Sequence, residues 1–258
     1  MGVVYNKENM LPYLIYNKPF EYNESISVYP VTMKDVITFQ VLSQSITLRK
    51  NSIFREKKIL KMTYLDFLLY CFGNEEIEKE YKISGLSQYF YYAIQLLTLC
   101  CKDAEIKLDG QNGGIRINGC LVTPQAFDDL RRIIIIQNDI DFDIDEFLNY
   151  DTEKRLQQAQ KDLTKGMKAN IEDYIDSLVI AINTTEDRIM DMTIRKFWRY
   201  IKRYQLHEGY TIAKTGECSG FVSFKEPIKH WIVSLDDEDD KYKELKTSQH
   251  SLAKKIEG

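Results

Sequence analysis

Within residues 171–231, apolar residues recur with a helical period in two successive stretches. Ile171, Tyr174, Ile175, Leu178, Val179 and Ile182 fall at i, i+3, i+4, i+7, i+8 and i+11, which predicts an amphipathic helix with one continuous stripe to bury. A second stripe of Ile194, Phe197, Trp198 and Ile201 predicts another helix, whose remainder is strongly basic through Arg195, Lys196, Arg199, Lys202 and Arg203. That helix offers a core side and a charged side. After it, residues 215–220 read as a Gly-containing loop, residues 221–224 as a short strand and residues 227–233 as a packed connector.

Upstream the pattern is mixed. Residues 1–24 are rich in Asn, Tyr and Pro without a clear period and read as an arm lying over another surface. Residues 25–31 alternate, with Ile26, Val28 and Pro30 on one side, and Pro30 confines them to a strand end or edge. Thr32 with Asp35 resembles a capping box opening a helix on Val36, Phe39 and Ile46. Further helices are predicted over 63–72 and 86–101, the latter apolar almost all round, as befits a central helix. Residues 105–122 change to short alternating runs, with Asn118-Gly119 supplying the positive φ of a type I′ turn, so a small antiparallel meander is predicted. Thr123 as N-cap and Pro124 at the first helical position then open a helix through Phe127, Leu130, Ile133 and Ile134.

Residues 139–151 are acidic and aromatic, residues 152–168 polar and Gln-rich, and apolar content recovers at Ile171. This predicts an N-terminal α+β domain over 1–150, a charged linker or helix over 151–168, and a mainly helical C-terminal subdomain over 169–258. The fold class expected is α+β, mostly α-helical.

Composition narrows the function classes. With 258 residues, 44% of them hydrophobic, the chain can bury a sizeable core. Its net charge of -4 sets up no field that would hold a polyanion, so nucleic-acid binding would need a local patch such as the basic helix face, and is disfavoured. Cys71, Cys100, Cys101, Cys120 and Cys218 form no C-x-x-C pair and read as reduced core residues. No apolar run approaches the roughly 20 residues of a membrane span, and a cytosolic protein is expected.

Candidate chemistry is sparse. Asp139, Asp141, Asp143 and Asp145 alternate like a calcium loop, but Ile144 stands where that loop needs Gly and Tyr150 where it needs Glu. The run from Asp236 to Asp240 reads as a solvated turn. His207, Cys218 and His230 lack a fourth ligand at zinc spacing. The segment Gln111-Asn112-Gly113-Gly114 leads into a strand and matches neither glycine-rich phosphate motif. No catalytic residue, cofactor or metal ligand is expected.

In residues 171–231 the order Ile-Glu-Asp, Thr-Glu-Asp, Thr-Ile-Arg-Lys-Phe, Ser-Gly-Phe-Val-Ser-Phe and Ile-Lys-His-Trp resembles proteins encoded among the tail genes of tailed bacteriophages, the tail assembly chaperones. Ile-Ser-Val-Tyr-Pro-Val-Thr-Met-Lys-Asp near the N-terminus and Thr-Pro-Gln-Ala-Phe-Asp-Asp-Leu-Arg-Arg-Ile-Ile in the centre are consistent with that group. The resemblance implies a non-catalytic protein of the host cytoplasm that keeps the tape-measure protein soluble, helps tail-tube subunits polymerise around it and is absent from the mature virion. Self-association is compatible with that role; a membrane is not implied. Helix-in-groove contacts of this kind need apolar anchors and a charged rim. Phe197, Trp198 and Tyr200 are the expected anchors, and Arg195, Arg199 and Arg203 the expected rim. Competing expectations are a permanent tail or capsid accessory protein and a nucleic-acid adaptor.

Overall fold

The computed structural model describes residues 5–109, 114–142, 144, 169–220, 223–224 and 226–235. Their order is α1 (Lys7–Tyr16), β1 (Phe20–Asn23), β2 (Ile26–Val28), α2 (Val36–Thr47), α3 (Lys57–Leu60), α4 (Tyr64–Cys71), α5 (Glu75–Tyr81), α6 (Tyr89–Cys100), β3 (Ile106–Asp109), β4 (Gly114–Ile117), β5 (Cys120–Leu121), α7 (Pro124–Gln137), α8 (Ile171–Ala181), α9 (Glu186–Met190) and α10 (Ile194–Cys218). The fold is α+β and mostly helical, with a two-stranded and a three-stranded antiparallel sheet.

Locally encoded features appear where the residues place them. Thr63 caps α4 by accepting from the Asp66 amide, and Thr123 caps α7 by accepting from Ala126, with Pro124 at the first helical position. Asn118 and Gly119 take φ of 49° and 79°, so β4 turns tightly into β5, and Ile115 and Ile117 of β4 point into the core. In α6, Phe90, Ala93, Leu96, Leu97 and Cys100 are buried against α2 and α4, while Tyr91 is exposed.

Several expectations are corrected. The N-terminal arm is in fact a helix capped by the Asn6 side chain on the Asn9 amide, burying Met10 and Leu14 despite Pro12 inside it, and followed by a strand. Thr32 makes no side-chain cap; its segment forms a single 3-10 turn, Met33–Asp35, before α2. Residues 215–218, expected as loop, are the last turn of α10, and residues 223–224 are not in a strand. Cys71, Cys100 and Cys101 are buried free thiols, but Cys120 and Cys218 are exposed. Burial pushes the Cys71 and Cys101 thiols up to about 12. The linker over 151–168, Asp143 and Asp145, the loop 110–113 and the run 236–240 lie outside the described residues.

The segment 28–33 ties the ends of four elements together. Gln137 and Asn138, at the end of α7, bond the Val28 carbonyl and the Val31 amide, both at 2.9 Å. The Tyr29 amide donates to the Cys100 carbonyl closing α6. Thr32 bridges Thr193 in antiparallel fashion, with Met33 donating to Met192 and Ile194 to Val31, each at 2.9 Å. Ile175, Leu178, Ile189, Ile194, Phe197 and Ile201 therefore share one buried cluster with the N-terminal elements.

Cations from distant segments close three helix C-termini, where carbonyls lack intrahelical partners. Arg131 of α7 donates through Nε to the Ile46 carbonyl of α2 at 2.5 Å, and its guanidinium lies 3.7 Å from the centre of the Tyr64 ring. The Tyr64 hydroxyl donates to Ser45 at 2.9 Å, and burial pushes that phenol up to about 12. Lys50 reaches the carbonyls of Leu60, the last residue of α3, and of Met62 just beyond it. Arg195 does the same for Leu14 of α1, at 3.3 Å. Neither α1 nor α2 has a basic residue in its own last turn.

Candidate interaction surface

The surface rests on α8, α9 and α10. Asn170 and Asp173 form a reciprocal capping box at the start of α8, with bonds of 2.9 and 2.8 Å. Ile175 and Leu178 then face the core, Tyr174 and Val179 are half-buried, and Glu172, Asp173, Asp176 and Ile180 face outward. Ile189 anchors the short α9, and Thr193 caps α10 on the Lys196 amide. At about 1.5 Å per residue, the 25 residues of α10 span roughly 37 Å. Only Ile194, Arg195, Phe197 and Ile201 are buried, all within its first third.

The six residues expected at a partner surface separate into three environments. Phe197 is fully buried, and Trp198 lies half-buried between it and Tyr174, edge-on to both with ring centroids 5.1 Å apart. Arg195 is buried at the end of α1, so it belongs to the core and not to a solvated rim. Tyr200 is exposed and Arg199 half-exposed. Arg203 turns to the connector, donating through Nη1 to the carbonyls of Trp231 and Val233. Beside them Lys196 is half-buried, and its ammonium is held below the usual lysine range by burial first and by Arg195 and Arg199 next. The continuous basic face is thus divided among core, surface and connector.

Other reactive side chains converge little. His207 packs edge-on to Trp231 at 5.1 Å and Tyr210 lies 4.9 Å from His230, while Cys218 ends α10. Among the described residues, no three His, Cys, Asp or Glu side chains group so as to hold a metal ion. Sequence reasoning missed Arg131, although it lies four residues after Phe127 and three before Ile134, on the buried stripe of α7. A cation on an apolar stripe was the available signal.

The comparison with known families falls on this C-terminal region. Residues 158–236 match the family described as YomV second domain. The match covers less than half of the chain and includes α8, α9, α10 and the connector. It points to a phage-derived protein family and says nothing specific about tail assembly. No curated protein and no solved structure matches the chain. Among the described residues, no helix is long and apolar enough to cross a membrane. The YomV-like region therefore coincides with the elements that build the surface, including the helix that leaves the core.

Proposed function

We propose that the chain is a phage-encoded, non-catalytic binding protein that serves tail assembly as a chaperone of the tape-measure and tail-tube proteins in the host cytoplasm. One observation carries the reading: α10, in the YomV-like region, is fixed in the core by its first turns, exposes Tyr200 on the outer side of that rooted part, and has no buried residue beyond Ile201, with Ile212 exposed. A rigidly rooted helix with apolar positions and a charged surround suits the reversible covering of a client's amphipathic helices. The bacteriophage resemblance supports the choice of client.

Co-expression with the tape-measure protein of the same phage genome tests it. The client is expected to move from the pellet to the soluble fraction and to co-purify with the chain. The paired substitutions Tyr200→Asp and Ile212→Asp, at 42% and 73% exposure, are expected to abolish this with the chain's own Tm unchanged within a few degrees. A client that stays insoluble contradicts the proposal. So does recovery of the chain in purified virions, which would make it a structural component.

A further inference from the structure

Two helices of the N-terminal part share an outer face without charge. Neither α2 nor α6 contains an Asp, Glu, Lys or Arg, whereas every other helix among the described residues carries at least one. The two pack closely against each other and run in opposite directions, since the Tyr29 amide, just before α2, donates to the Cys100 carbonyl at the end of α6. Ile46 of α2, Ala93 and Leu97 of α6 and Phe127 and Ile134 of α7 line one internal cleft, so the buried sides of both helices turn toward α7 and their opposite sides turn outward together. Ile37 and Val41, one turn apart on α2, are 58% and 46% exposed, and Tyr91 of α6 is 51% exposed. The other exposed positions on the pair are Thr38, Gln40, Gln44 and Thr98.

A solvated helix face ordinarily carries charge, as α8 does through Glu172, Asp173 and Asp176. Depletion of charge with apolar and Tyr side chains retained is the composition found at the centre of protein interfaces. The same character narrows the occupant. An amphipathic client helix brings charged flanks, which this face would desolvate without a partner. The chain's own segments 145–168 and 236–258 are charged throughout in sequence and mismatch it in the same way. A second copy brings the same uncharged face. In a twofold contact each side chain meets its own kind or a near neighbour, so any charge would be set against its like, while the amides of Gln40 and Gln44 and the hydroxyls of Thr38 and Thr98 both donate and accept and can pair with themselves.

We propose that the outer face of α2 and α6 is the contact between two copies of this chain, each giving one helix pair to a four-helix packing across a twofold axis. Helices of 12 residues are about 18 Å long and neighbouring axes lie about 8–10 Å apart, so the face is at the small end of specific interfaces and association in the micromolar range is expected. The contact uses other elements than the surface on α8, α9 and α10, and it does not rest on the function proposed above.

Sedimentation equilibrium of the full chain over about 1 to 300 μM tests it. The average mass is expected to rise from 30.4 kDa at the low end toward twice that value. Val41→Lys sets like charges into the contact from both copies and is expected to weaken association at least about tenfold, with Tm unchanged within a few degrees because Val41 is exposed. If it lowers Tm further, Thr98→Lys, at an exposed position of α6, takes its place and the same loss is expected. The paired substitutions Tyr200→Asp and Ile212→Asp are expected to leave the mass curve unchanged. A mass of 30.4 kDa throughout the range overturns the proposal, as does association that persists in both lysine variants. Loss of tape-measure solubilisation in Val41→Lys, with the unsubstituted chain monomeric, would assign the face to the client and overturn it as well.

Discussion

Phe197→Ala is expected to lower the unfolding free energy by about 3–5 kcal/mol, the usual cost of deleting a fully buried aromatic side chain. Phe197 has no exposed surface and belongs to the cluster shared by α10 and the N-terminal elements, so the cavity opens where the YomV-like region joins the rest. Relaxation is limited. The backbone on either side is fixed by the Ile194 amide on Val31 and by Ile201, itself buried. Urea unfolding followed through tryptophan fluorescence is a suitable readout, because Trp198 lies against both Phe197 and Tyr174. Tyr200→Ala, three residues on but exposed, is expected to change stability by less than about 0.5 kcal/mol. Equal losses in the two variants would mean that α10 does not enter the core.

Arg131→Ala is expected to cost about 3 kcal/mol. The buried Ile46 carbonyl loses its donor, worth about 1–3 kcal/mol, and the cation stacked on Tyr64 is worth up to about 2 kcal/mol when desolvated. One effect offsets part of this and one adds to it. Burial disfavours the charged guanidinium, holding Arg131 below its usual range, whereas the buried Oδ1 of Asp128, 4.0 Å away, loses the cation that faces it. Arg131→Met keeps the volume and discards the charge, so its loss is expected to be clearly smaller. Chemical denaturation of both variants checks the order; a loss below about 1 kcal/mol in both would contradict the assignment of Arg131 as a helix-end cap.

The legible parts of the fold are those encoded over a few residues. Thr63, Thr123-Pro124 and Asn118-Gly119 each act on neighbours three positions away or less, so their helices and turn could be placed directly. The stripes of α8 and α10 were readable because burial repeats with the helical period. Helix α1 was hidden because only Met10 and Leu14 mark its buried side and Pro12 interrupts it. The end of α10 was misread for a related reason: Gly216 costs a helix about 1 kcal/mol, too little to end one that already runs through Lys214 and Glu217. The fate of the basic residues was not legible at all. Arg195 points inward because Leu14, 181 positions away, leaves a carbonyl to satisfy, and Arg203 turns to a connector 28 and 30 positions on. Such pairings depend on tertiary placement, which local pattern does not carry.

Helix α10 changes character along its length: it is core up to Ile201 and has no buried residue beyond it. Side-chain pairs within the distal part, Tyr204 with Glu208 at 2.8 Å and Lys214 with Glu217 at 2.7 Å, contribute only a few tenths of a kcal/mol each, so the distal turns depend on residues 230–233. Native-state hydrogen exchange read residue by residue along the helix is the direct test. Amides of residues 197–201 are expected to exchange only through global unfolding, and those of residues 206–217 at least about a hundredfold faster. Uniform protection from Phe197 to Cys218 would contradict the claim.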